Sequence, residues 1–149
     1  MNKPIAELLS KRDHRTLAIW ATDCAEHVLP YFEEKYPKDN RPRKAIEAGR
    51  AWVSGEIVMS EARTAAFAAH AAARDANQDA TRAAARAAGH AAATAHVAGH
   101  AVHAATYAAR AASHAVDSSD ADAATAKERD WQYQHLLELR DNFFINCAK

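Results

Sequence analysis

The sequence predicts an all-α fold, a single-domain bundle of about five to seven helices around an alanine-rich, histidine-bearing central region. Three observations carry this. About a quarter of the 149 residues are alanine, rising to about half of residues 61–116. Alanine is the best helix former and the smallest apolar side chain that still packs. Outside that stretch, apolar residues recur at steps of three and four, the repeat of one helix face. No segment reads as a strand, and scarce Gly and Pro with ordinary charge content argue against disorder.

Residues 13–36 place Leu17, Ala21, Cys24, Val28 and Tyr31 on one helix face, with Asp13 as N-cap. Pro30 must end or kink this helix, because it lacks a donor and its ring clashes with the preceding turn. Asn40-Arg41-Pro42 opens the next helix, capped by Asn40, with Ile46, Gly49 and Trp52 or Val53 on its apolar side. Ser54-Gly55 stops it, and Gly55 suits the left-handed closing position. Ser60-Glu61 supplies a cap and a first-turn negative charge for a third helix.

From Glu61 to Val116 the chain is almost continuous helix former. Asp75-Ala76-Asn77-Gln78-Asp79 interrupts it, with Asn77 or Asp79 able to cap a fresh start. An unbroken 80–116 helix would be roughly 55 Å long at about 1.5 Å per residue. A compact chain of this length has a radius of gyration of only roughly 15 Å. The expectation is therefore a bend near Gly89 or Gly99, the alternative being a homodimer that covers the overhang. Asp117-Ser118-Ser119-Asp120 is a loop before a last helix carrying Trp131, His135 and Leu139. The apolar tail Phe143-Phe144-Ile145 is expected to dock. Residues 1–12 and 142–149 read as the periphery of a domain spanning 1–149.

The totals bound function. Lys plus Arg equals Asp plus Glu, giving a formal net charge of zero. That argues against broad electrostatic capture of nucleic acid or an anionic membrane. No run of about 18 apolar residues exists, because His and Arg interrupt the alanines, so no membrane span is expected. Met1 to Ser10 carries Lys3, Pro4 and Glu7, unlike a signal peptide. Cys24 and Cys147 read as free thiols of a cytoplasmic protein, a disulfide between them being the alternative that nothing in the sequence supports.

On a helical wheel of residues 78–116, Gln78, Arg82, Gly89, His96, His100, His103, Tyr107, Arg110 and His114 share one sector. The opposite face holds Ala84, Ala91, Ala98, Val102, Ala105, Ala109 and Val116. Three readings of the stripe compete. It can be a polar face partly covered by other helices, since neutral imidazole is a poor solubiliser near its pKa of about 6.5. It can be a protein contact, for which Tyr and Arg are the usual anchors. Or it can hold metal or heme, although the stretch offers no carboxylate or thiol and His96 to His103 spans about 10 Å, too far for one ion. No metal or cofactor is assigned.

Asp23, Glu26 and His27 sit together, and their default reading is a solvated face with an Asp23–His27 pair four apart. Arg41, Arg43, Lys44 and Arg50 form a basic patch beside Asp39 and Glu47, salt-bridged by default and a contact for an acidic partner otherwise. A Cys24–His27 pairing is nominally possible. No GxGxxG, P-loop, HExxH or CxxC is present. The chain is not read as an enzyme, and no catalytic residue is assigned. A helical enzyme would need a pocket joining the stripe to carboxylates such as Asp23 and Glu26.

Several ordered segments carry a resemblance. They are Asp23-Cys24-Ala25-Glu26 with Val28-Leu29-Pro30, Arg41-Pro42-Arg43-Lys44-Ala45-Ile46-Glu47-Ala48, and Arg50-Ala51-Trp52. Glu61-Ala62, Ala69-His70-Ala71-Ala72-Ala73-Arg74, the run from Ala87 to Ala101, and Glu128-Arg129 with Trp131-Gln132 follow. Over most of residues 20–135 the chain resembles the bacterial putative immunity protein family of polymorphic toxin systems. It departs where His135-Leu136-Leu137 stands in place of an expected proline-bearing segment. The resemblance implies an all-α protein that binds a cognate toxin and blocks it without chemistry. Combined with the wheel, it makes His96, His100, His103, Tyr107 and Arg110, with Arg43 and Arg50, the candidate contact face.

Overall fold

The structure, a computed structural model, describes the backbone of residues 3–147 and the side chains of residues 4–139. The chain runs α1 (Lys3–Leu9), α2 (His14–Val28), α3 (Pro30–Glu33), α4 (Arg41–Val53), α5 (Met59–Asp75), α6 (Asp79–Ala93), α7 (His100–His114), a 3₁₀ turn (Ser118–Asp120) and α8 (Ala121–Cys147). Counting the one-turn α3 as the continuation of α2 past Pro30 leaves seven helices, and no strand occurs among the described residues. The tail Phe143-Phe144-Ile145 and the Cys147 thiol lie outside the described side chains.

Local chemistry sets the helix ends. Asp13 caps α2 by accepting from the Thr16 amide at 2.8 Å. Pro30 breaks α2 after Val28 and starts α3. Asn40 does not cap α4 through its side chain. Asp39 accepts instead from the Arg41 amide at 3.1 Å and its guanidinium at 2.7 Å, because a carboxylate satisfies both donors at once. Gly55 takes φ of 81° after α4, the left-handed stop expected of it. The third helix begins a residue early, at Met59, so Ser60 and Glu61 lie in its first turn rather than at its cap. Gln78, not Asn77 or Asp79, occupies the cap position of α6.

Residues 80–116 are two helices, not one. The break is a reversal over 94–99, and Gly89 stays buried inside α6. The Thr94 hydroxyl donates to the His90 carbonyl at 3.0 Å. The amides of Ala95 and His96 reach back only three residues, at 3.2 and 3.0 Å, tightening the helix to its end. The His14 ring on α2 bonds the freed Thr94 carbonyl, and Gly99 opens α7.

The helices form two layers. α6 packs between α5 and α7, with α4 and α2 beneath it. α2 packs under α6 and α7, flanked by α4 and α8. Alanine makes this possible. Ala83, Ala84, Ala85, Ala87, Ala88, Ala91 and Ala92 are all at most 5% exposed, so α6 is buried around most of its circumference. Methyl side chains let helix axes approach at the short end of the usual 8–10 Å range. Larger groups fill the rest: Trp20, Phe32, Leu29, Ile46 and Leu136. α1 adds Ile5 and Leu9 to the core. No described helix is long and apolar enough to cross a membrane.

Candidate functional site

The outer face of the α5–α6–α7 layer gathers imidazoles from three helices. His90 on α6 is the hub. Its Nδ1 lies 3.0 Å from His100 Nδ1. Its ring stacks on Tyr107 at 5.2 Å and 10°, meets His70 edge-on at 4.9 Å, and lies 5.3 Å from His103. Arg86, one turn before His90, donates to His70 Nδ1 at 3.0 Å. Arg110 lies over the other end of the array, 5.0 Å from the Tyr107 ring centre. The chain of contact Arg86–His70–His90–Tyr107–Arg110 is continuous across three helices.

Gly89 makes room for it. A Cβ there would come within 2.6 Å of the His70 ring, so only glycine lets that ring lie flat on α6. The rings are held neutral. Burial, reinforced by Arg86, Arg74 and His100, depresses His70 to about 4. Burial with the neighbouring imidazoles depresses His90 to about 3. His100 is lowered for the same reasons. A neutral His70 accepts from Arg86 on Nδ1 and keeps its proton on Nε2. Between His90 and His100, one Nδ1 donates and the other accepts.

The predicted stripe is divided by the reversal. His100 and Tyr107 are half-buried in the cluster, and His103 and Arg110 are exposed on it. His96 stands exposed in the turn. On the supposed inner face, Ala84, Ala91, Ala105 and Ala109 are buried, but Val116 is 43% exposed, because it lies past the end of α7. His70, Arg86 and His90 were missed. Arg82, Arg86 and His90, spaced by four, do mark the outward line of α6 once it is treated as its own helix. His70 carries no such signal, since it joins only through helix pairing.

Arg43 and Arg50 are elsewhere, on the outward side of the α4–α2–α8 layer. Arg43 binds Glu33 at 2.7 Å. Arg50 binds Asp23 at 2.9 Å and Glu26 at 2.7 Å. The Asp23–His27 pair does not form. Asp23 instead holds His135 at 2.7 Å, and His27 holds Glu128 at 2.7 Å, because α8 brings closer partners than the same helix offers. Trp131 is stacked between the two imidazoles, 3.8 Å from His27 and 4.9 Å from His135. Asp23 raises the His135 pKa above its ordinary value. A cleft of about 400 Å³ lies beside this stack, lined by His27, Tyr31, Val116, Lys127, Glu128 and Trp131.

The neighbouring polar groups are structural. Gln132 is fully buried and donates to the Ala105 carbonyl at 2.9 Å. Its backbone carbonyl accepts from Trp20, and its amide oxygen from Arg129 at 3.0 Å. Cys24 is fully buried, and burial pushes its thiol well up, so it forms no reactive pair with His27. Asp23 and Glu26 belong to this second face, where they pair with Arg50 and Asp23 also with His135. Among the described residues, no three of His, Cys, Asp or Glu converge to hold a metal ion.

Compared with known proteins, residues 7–139 match the family model described as Imm-5 like putative immunity protein. No curated protein and no solved structure matches the chain.

Proposed function

The chain belongs to the Imm-5 like immunity protein family, and from that premise we propose that it binds a cognate toxin domain through the outer face of α5–α7 and neutralises it without turnover. The observation that carries the choice of face is the stacked array Arg86–His70–His90–Tyr107–Arg110. Its rings are already fixed against one another, so little side-chain freedom is lost on docking. Tyr and Arg, with a fixed aromatic platform, are the groups that dominate protein contacts. His100 and His103 extend the platform, and His96 lies at its edge. The mechanism is occlusion: a rigid helical surface covers the toxin's working face. Its natural setting is the cytoplasm of the cell that makes the toxin.

Co-expression with a toxin encoded beside this gene tests the reading. Growth is expected to be restored by the wild type. Tyr107→Ala and Arg110→Ala are expected to weaken the purified complex by roughly 30-fold each, about 2 kcal/mol, the size of an interface anchor. Undiminished toxicity, or binding indifferent to both substitutions, would overturn it.

A further inference from the structure

The two faces of the bundle treat their arginines differently. On α4, Arg41, Arg43 and Arg50 each hold at least one carboxylate within 3.0 Å. On α5–α7, Arg63 lies over Phe67, Arg82 bonds the Ala76 carbonyl, Arg86 bonds His70, and Arg110 lies over Tyr107. None of these four is in an ion pair among the described residues. Residues 80–116 contain no Asp or Glu at all. The charges that act on His70, His90 and His100 are all cationic or imidazole. Helices α5–α7 carry Arg63, Arg74, Arg82, Arg86 and Arg110 against Glu61, Asp75 and Asp79, and Asp75 is taken by Arg41 of α4, so a chain with zero net charge keeps a cationic excess on this layer.

Phe67, 59% exposed, stands one turn before His70 on the same layer. The platform is thus apolar and aromatic at its centre and cationic at its margins. A neutral or basic surface pressed on it would strip water from unpaired guanidinium groups without return. An anionic surface would supply the missing partners.

We propose that the α5–α7 face takes an acidic protein surface, whose carboxylates pair with Arg86 and Arg110 while its apolar groups lie on the rings between them. This rests on the toxin-binding reading for its biological partner, but the chemistry is testable alone. Phosphate polymers fit less well, because a chain of zero net charge lacks the long-range attraction that captures nucleic acid.

The probes are a hexaglutamate peptide and a hexauridylate RNA, titrated at low salt into the ¹⁵N-labelled full-length protein. Hexaglutamate is expected to shift amides of α5–α7 saturably. Its affinity should fall at least tenfold in Arg86→Gln/Arg110→Gln and in the single, exposed Arg110→Glu, and less than twofold in Arg43→Gln. No shifts, shifts centred on α4, equal loss in Arg43→Gln, or RNA binding as tightly as peptide would each overturn the proposal. Peptide binding on this face by a protein that fails to suppress the toxin would leave the inference standing and remove the immunity reading. Toxin suppression untouched by Arg110→Glu would overturn both the inference and the α5–α7 contact face.

Discussion

Lowering the pH from 7.5 to 5 should destabilise this protein, and the magnitude follows from the α5–α7 cluster. His70 and His90 are held to about 4 and about 3 in the folded chain, against about 6.5 when unfolded. At pH 7.5 both forms of the chain carry neutral rings, and the shifts contribute nothing. As pH falls through 6.5, the unfolded chain takes up a proton at each ring and the folded chain does not, so stability falls. At pH 5 the difference is about 1.5 pH units, or about 2 kcal/mol per ring. Both rings are partly exposed, and solvent screening roughly halves the sum, leaving a loss of about 2 kcal/mol. His135 acts oppositely. Asp23 raises its pKa, so its contribution is present at low pH and is lost as pH rises through that raised value. The net effect remains a loss, because three depressed rings, His100 being the third, oppose one raised ring.

Thermal unfolding at pH 7.5 and 5 measures it. A loss of about 2 kcal/mol lowers Tm by about 4–8 °C for a chain of this size. His70→Gln/His90→Gln removes both titrating groups and should flatten most of that dependence. An unchanged Tm in the wild type, or an undiminished fall in the double variant, would refute the reasoning.

Three further outcomes are expected. Gly89→Ala gains about 1 kcal/mol of helix propensity but pushes the His70 ring off α6; the imidazole pKa, followed by NMR, should rise from about 4 toward its ordinary value, and an unmoved titration counts against the packing described. Gln132→Leu removes the bonds to Ala105 and Arg129 and leaves a half-buried guanidinium short of an acceptor; a cost of about 3 kcal/mol in urea unfolding is expected, and a loss under about 1 would show the clamp to be idle. Asp23→Asn removes the charge that raises the His135 pKa; its NMR pKa should drop toward about 6.5, with no drop contradicting the assignment.

Much of the fold was legible because local chemistry sets it. Asp13, Pro30, Pro42 and Gly55 act within a few residues of themselves, and each marks an element end in the structure. The alanine-dense middle was legible as helix for the same reason. What was not legible depends on partners distant in sequence. The turn at 94–99 is held in part by His14, 80 residues away, and without it the wheel ran straight through the break. Asp23 was read against His27 because they are neighbours on one helix. α8 supplies Glu128 and His135 instead. Short-range charge pairing on a helix is worth only about 0.5 kcal/mol, so a better-placed partner from another element wins.

The same alanine content that hid the turn explains where function can lie. An alanine helix has almost nothing bulky to insert into its neighbours, so the core is a close stack of helices and the large polar side chains of α6 and α7 stand outside it. Between Thr81 and Ala92 of α6, only Arg82, Arg86 and His90 escape burial. They fall on one line because each is four residues from the next. α7 repeats this with His103, Tyr107 and Arg110. The reversal between the helices sets the two lines side by side, which one straight helix could not do. A tight turn in a small-residue core therefore converts two sparse rows of imidazole and guanidinium into a continuous surface. Inserting residues into 94–99, or replacing His14 so that the turn loosens, should scatter that surface while leaving each helix intact.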